Sequence, residues 1–340
     1  MENIDLEKRL DQTLAEEKST GLLSGKMGVC VYFFVMSHHD KESSYYHRAE
    51  KLLTELLQSF LFNHGLEMKS GLTGFAMGLI FLCREQYIQL DINNLLKRVD
   101  AFIYRIVTRS MDKLIQEESD KSAYVDVLIY EIMRYDDLQS EIRKELCRRF
   151  IIKLNNYIYI NRSDTFYDEK MPFNIRNRLY AYIWAIVAMN RRKIEVARTA
   201  SILKEMGPFL FSRYPVLHPN RFGLFVLASY VAKLVQIDGW GLYAEKLMSS
   251  IQLDRLVDED LYDKEISLEN GVAGVCMLML FYNSFAAQKI PYDAKKIITR
   301  IENSEVWGDW ESRERIWKQN YSLNGYCGVK ILLMYLRQKL

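Results

Sequence analysis

The chain has 340 residues, 49% of them hydrophobic, which is enough for a sizeable core in one large domain or two ordinary ones. Its 46 Lys and Arg nearly cancel 44 Asp and Glu, and the net charge of +2 lacks the concentrated basic excess typical of nucleic-acid binders. Five prolines and sixteen glycines are too few for the turns of an all-β sandwich, and five scattered cysteines without a CxxC pair indicate neither a disulfide framework nor a zinc ribbon.

The chain opens on MENIDLEKRLDQTLAEEK, acidic and amphipathic, with a helix expected over residues 4–16 and no basic-then-apolar secretory pattern. GLLSGKMGVCVYFF follows from Gly21 and GLTGFAMGLIFL from Gly71, each a small-residue turn with paired glycines ahead of an apolar run. Weaker copies without most of the glycines begin at Ser122 (SAYVDVLIYEIMRY), Arg176 (RNRLYAYIWAIVAM) and Arg221 (RFGLFVLASYVAKL). The glycines return in SLENGVAGVCMLML from Ser267 and SLNGYCGVKILLMYL from Ser322, so the starts recur roughly every fifty residues. Between them lie amphipathic segments: Tyr45–Phe62, Asn93–Leu114, Gln139–Tyr157, Lys193–Met206, Trp240–Ile251 and Ile290–Asn303. In the second, Leu95, Val99, Phe102, Ile103 and Ile106 fall on one helical face.

Seven wet-faced helices thus alternate with seven nearly all-apolar ones, and a helix apolar all round must be enclosed. An inner ring of apolar helices inside an outer ring satisfies this; a layered helical solenoid with open ends is the alternative. The paired glycines at the helix starts indicate tight turns and close backbone approach. The longest apolar runs, such as Val275 to Tyr282, fall short of the ~20 residues a membrane span needs. A cytoplasmic protein with reduced thiols and no membrane insertion is expected.

At the glycine turns the chain resembles the lanthionine synthetase C-like (LanC-like) family. GLTGFAMGLIFL is similar to that family's second-repeat signature, and SLENGVAGVCML and SLNGYCGVKILL to its last two repeats, so the resemblance spans nearly the whole chain. It implies an all-α fold, an α/α toroid (barrel) of seven inner and seven outer helices, as a single domain over residues 1–340. The family's cyclases hold zinc through a cysteine in a W-C-x-G turn opening the fifth inner helix and the Cys-His of a C-H-G turn opening the sixth. The metal lowers a peptide cysteine's thiol pKa, and the thiolate adds to a dehydroalanine or dehydrobutyrine. Here the matching positions read Arg221, Glu269 and Asn270. The usual zinc ligands are absent, so the resemblance implies a degenerate site with no metal and no cofactor.

Residues in or beside the turns are the candidates for a cavity mouth: Arg178, Arg221, Glu269, Asn270, Asn324 and Tyr326, with Ser24, Lys26, Thr73 and Arg176 beside them. They suit a peptide or an anionic group; equally, Arg221 and Glu269 suit an ion pair replacing the lost metal charge. Cys30 and Cys276 stand two residues after the second glycine of their repeats, a regularity that suits packing, and Cys327 lies in the last turn. His38-His39-Asp40 offers metal-ligating types but reads more simply as a solvated loop, and His64 and His218 stand singly near helix ends. Trp307, Trp310, Trp317 and Tyr321, interleaved with Asp309, Glu311 and Glu314, form either a ligand-binding lip or a packed cover.

The leading functional expectation is a LanC-like protein without metal that binds a precursor peptide or a peptide-modifying enzyme in bacterial peptide maturation. The second is a zinc-independent enzyme on the same fold, such as a carbohydrate-active enzyme with Glu269 and Asp309 as its carboxylates. The third is an interaction module. No catalytic residue is assigned by the sequence.

Overall fold

The computed structural model describes residues 4–39, 43–59, 65–112, 118–161 and 173–340; Asp40 and His64 lie outside them. Among the described residues the chain is all-α, with no strand. In order, the helices are α1 (Ile4–Glu16), α2 (Lys26–His39), α3 (Ser43–Ser59), α4 (Leu72–Arg84), α5 (Ile92–Leu95) and α6 (Lys97–Asp112). There follow α7 (Glu118–Asp137), α8 (Glu141–Ile160), α9 (Arg178–Arg191), α10 (Val196–Phe211), α11 (His218–Val235) and α12 (Trp240–Met248). The last are α13 (Leu253–Asp258), α14 (Val272–Phe285), α15 (Ala294–Glu302), α16 (Val306–Ser312), α17 (Glu314–Asn320) and α18 (Tyr326–Arg337). The helices α2, α4, α7, α9, α11, α14 and α18 occupy the seven expected apolar segments, and α1, α3, α6, α8, α10, α12 and α15 the seven amphipathic ones.

The chain divides into two compact units, Met1–Ile160 with Trp307–Ile331, and Asn161–Val306 with Leu332–Leu340. In the first, the apolar helices α2, α4 and α7 are successive neighbours, while α3 covers α2 and α8 covers α7. Nine consecutive residues of α2, Lys26 to Phe34, are buried, and each large apolar side chain among them contributes about 1.5–3 kcal/mol. The segment 307–331 packs into this core: Trp317 Nε1 donates to Thr13 Oγ1 at 2.7 Å, and the Trp310 and Trp317 rings lie 6.4 and 5.6 Å from that of Tyr326. Both tryptophans are 1% exposed, so the aromatic cluster packs a core rather than lining an open lip.

In the second unit α9, α11 and α14 are successive neighbours, covered by α10, α12 and α15 respectively. Enclosure of the apolar series is incomplete here. Val272 to Cys276 are buried, but Met277 is 44% exposed and Phe281 and Tyr282 are half-buried.

One amphipathic segment differs from its expected form. The Asp91 side chain accepts from the Asn94 N–H at 3.1 Å and starts a single turn, α5, which ends at Leu96 before α6 begins. The buried stripe is therefore Leu96, Val99, Ile103 and Val107, while Leu95, Phe102 and Ile106 are half-buried.

Candidate functional site

The glycine turns share one local construction. Before α4, the N–H of Leu72 donates to Gly65 O and that of Gly71 to Glu67 O; before α14, Val272 donates to Glu265 O and Gly271 to Ser267 O. Gly71 and Gly271 are extended alike, at φ −115° and −123°. In three of the turns one glycine then faces a carbonyl six residues back. A Cβ on Gly28, Gly74 or Gly274 would lie 2.1, 2.0 or 2.2 Å from Leu22 O, Met68 O or Leu268 O. Close approach, not unusual backbone angles, demands glycine at these positions.

In the first unit the turns interlock. Gly21 donates to Ser70 O and Leu22 to Met68 O, Asn324 N donates to Leu23 O, and Tyr321 OH donates to Ser24 O. The Met68 N–H donates to the buried Asp126 carboxylate of α7. Thr73 Oγ1 is spent on Leu66 O, and Lys26 pairs with Glu55 of α3. Tyr326 is fully buried and donates to Glu7 Oε1 at 3.0 Å, beside Tyr32 OH at 2.6 Å, while Arg48 pairs with the other Glu7 oxygen. Asn324 is also buried, so neither it nor Tyr326 forms an open mouth.

In the second unit the expected partnership is rearranged. Glu269, 6% exposed, pairs with Arg176 at 3.0 Å, and its carbonyl accepts from the Ile175 N–H. Arg221 is used elsewhere: Nε donates to Pro215 O, Nη2 to Val216 O and Nη1 to Ser250 O. The cause is the helix start. Pro219 in the first turn lets α11 begin at His218, so Asn220–Gly223 are helical instead of forming a turn, and Arg221 reaches back over the preceding loop. Asn270 is exposed, its N–H donating to Ser267 Oγ, and Arg178 is half-buried in the first turn of α9 behind the Asn177 cap.

His218 is buried, accepts from the Gln252 N–H at Nδ1, and burial lowers its pKa below the ordinary value. His38 and His39 are exposed at the end of α2. Burial pushes the thiol of Cys276 up to about 12 and those of Cys30, Cys147 and Cys327 higher still, so these four are packing residues, not nucleophiles. Asp309 pairs with Arg313 at 3.3 Å.

Sequence reading missed Asp126, Glu131 and Arg134, three buried ionisable residues on α7. Arg134 grips Asp100 of α6 through Nε and Nη2, at 3.0 Å for the latter, and donates to Asn93. The available signal was their placement: acidic and basic residues inside an otherwise apolar helix need partners.

Residues 5–128 match the family model for lanthionine synthetase C-like protein. Over this segment, a little over a third of its length, the chain is similar to LanC-like proteins. The match spans α1 to α7 and stops short of positions 221, 269 and 270, and no curated protein matches the chain. Those three positions do not fit the zinc of LanC-like cyclases. A guanidinium is cationic, Glu269 is already neutralised by Arg176, and an amide is a poor zinc ligand.

Proposed function

We propose that this chain is a LanC-like protein that binds a peptide, or a partner enzyme of bacterial peptide modification, without the thioether chemistry of the zinc cyclases. The family match supports the peptide context. The observation that carries the reading is the commitment of Arg221 to three carbonyls and of Glu269 to Arg176, which leaves neither able to hold a metal or activate a thiol. Among the described residues, no three His, Cys, Asp or Glu side chains gather into a metal-holding group.

Nothing in the geometry favours the carbohydrate alternative. Glu269 and Asp309 are each already paired with an arginine, Arg176 and Arg313 respectively. The test is metal analysis of the purified protein combined with titration of a dehydrated, cysteine-bearing peptide. Binding with the peptide's free-thiol count unchanged, and no stoichiometric zinc, is expected. Stoichiometric zinc, or thiol loss through ring closure, would refute the reading.

A further inference from the structure

Within the first unit, α6, α7 and α8 enclose a slot of about 600 Å³ that the turn residues do not touch. Its walls are apolar, with Tyr104 stacked edge-on against Phe150 at 5.0 Å and Leu146 beside them. Large side chains stand in water here: Tyr104 is 53% exposed, Leu146 61%, and Ile142, one turn earlier on α8, 77%. An apolar patch of this kind ringed by charge marks an interaction surface.

The ring is basic. Lys97, Arg143, Arg149 and Lys153 border the slot. Helices α6 and α8 carry nine basic and four acidic residues between them, an excess of five in a chain whose total is only +2. The sequence shows no basic run because the two helices are separated by α7; folding brings them together. Of the acidic groups in the lining, Asp100 is paired with Arg134 at 3.0 Å, and burial pushes the Glu131 carboxyl up to about 8, with Cys147 Sγ 3.4 Å away.

We propose that this slot docks an acidic, amphipathic peptide segment of a partner protein. An aliphatic side chain of that segment seats between Leu146 and Phe150, and its carboxylates meet Lys97, Arg143 and Lys153 at the border, beside Arg149, which also pairs with Glu145 at 2.9 Å. Nucleic acid would satisfy the charges but leave the apolar walls unused, which is why a peptide is favoured. The proposal concerns a surface separate from the turns and does not depend on whether a metal is bound.

The test is fluorescence anisotropy of the full chain at low salt with a labelled helical peptide. The peptide carries leucines at i and i+4 on one face and glutamates elsewhere; a version with lysines in place of the glutamates is the control. Saturable binding of the glutamate peptide alone is expected, weakened roughly tenfold or more by Leu146→Asp and by the pair Arg143→Glu, Arg149→Glu. These side chains are largely exposed, so thermal stability stays unchanged, and Lys246→Glu in the second unit leaves binding intact. No binding, equal binding by the variants, or preference for duplex DNA or anionic phosphatidylglycerol vesicles over the peptide would overturn the proposal. None of these results bears on zinc or thiol chemistry, so the two readings fail separately.

Discussion

Arg176 and Glu269 form a largely buried pair whose members differ in what they leave behind. Removing Arg176 strands a carboxylate that is 8% exposed at the side chain, whereas Arg176 keeps 22% in water. Arg176→Met should therefore cost about 2–3 kcal/mol, below the ~3–5 of a wholly buried pair, and Glu269→Gln added to it should restore part of that loss in urea denaturation. No rescue by the second change would mean that the pair is not the source of the cost. His218 makes a pH-dependent contribution. Its folded pKa is depressed, so the unfolded chain takes up the proton first. The neutral ring's contribution is complete above pH ~6.5 and is lost as pH falls from there toward the folded pKa. His218→Asn should flatten the fall in urea midpoint between neutrality and mildly acidic pH; an unchanged slope would contradict the burial of a neutral ring. Glu131 has the opposite sign. With its carboxyl raised to about 8, the unfolded state ionises first, and the penalty grows as pH rises from ~4.3. Glu131→Gln should match the wild type near pH 4 and exceed its stability by about 1–3 kcal/mol at pH 8, read from the same denaturation series. Which carboxylate meets which cation was not legible in sequence, because Arg176 and Glu269 lie 93 residues apart and side-chain reach decides the match.

At the scale of the element, the turns preceding α4 and α14 place glycine against carbonyl oxygen. Gly74→Ala should destabilise by about 2–3 kcal/mol or more, since a Cβ would sit 2.0 Å from Met68 O and the helix start must shift to admit it. Gly308 in α16 has nothing within 4 Å of its would-be Cβ, so Gly308→Ala should be neutral or stabilise by up to about 1 kcal/mol. Comparable thermal shifts for the two variants would show that contact does not separate them. Helix positions were readable because apolar periodicity and paired glycines are local signals. The interruption at Leu96 was less so: it depends on one capping hydrogen bond from Asp91 that shifts the buried stripe along α6. The start of α11 at His218 is a similar case, set by Pro219 in a repeat that lacks the glycine turn.

For the molecule as a whole, the first compact unit is discontinuous in sequence, since Trp307–Ile331 belongs with Met1–Ile160. A fragment of residues 1–160 would expose Thr13, Tyr32 and Glu7 where Trp317 and Tyr326 pack and donate. It should lack a cooperative thermal transition by circular dichroism, and a sharp transition near that of the full chain would show that 307–331 is not integral to the core. The described residues contain no helix long and apolar enough to cross a membrane. Composition, the fifty-residue recurrence and the alternation of apolar with amphipathic segments determined by themselves the all-α class, the placement of fourteen helices and the family likeness, because each is a property of neighbours along the chain. Tertiary structure alone decided that Glu269 faces Arg176 instead of Arg221, that Tyr326 and the tryptophans are buried, and that α6 and α8 gather their cations around one apolar slot. Those outcomes depend on which distant surfaces meet, and burial and charge pairing are settled only when they do.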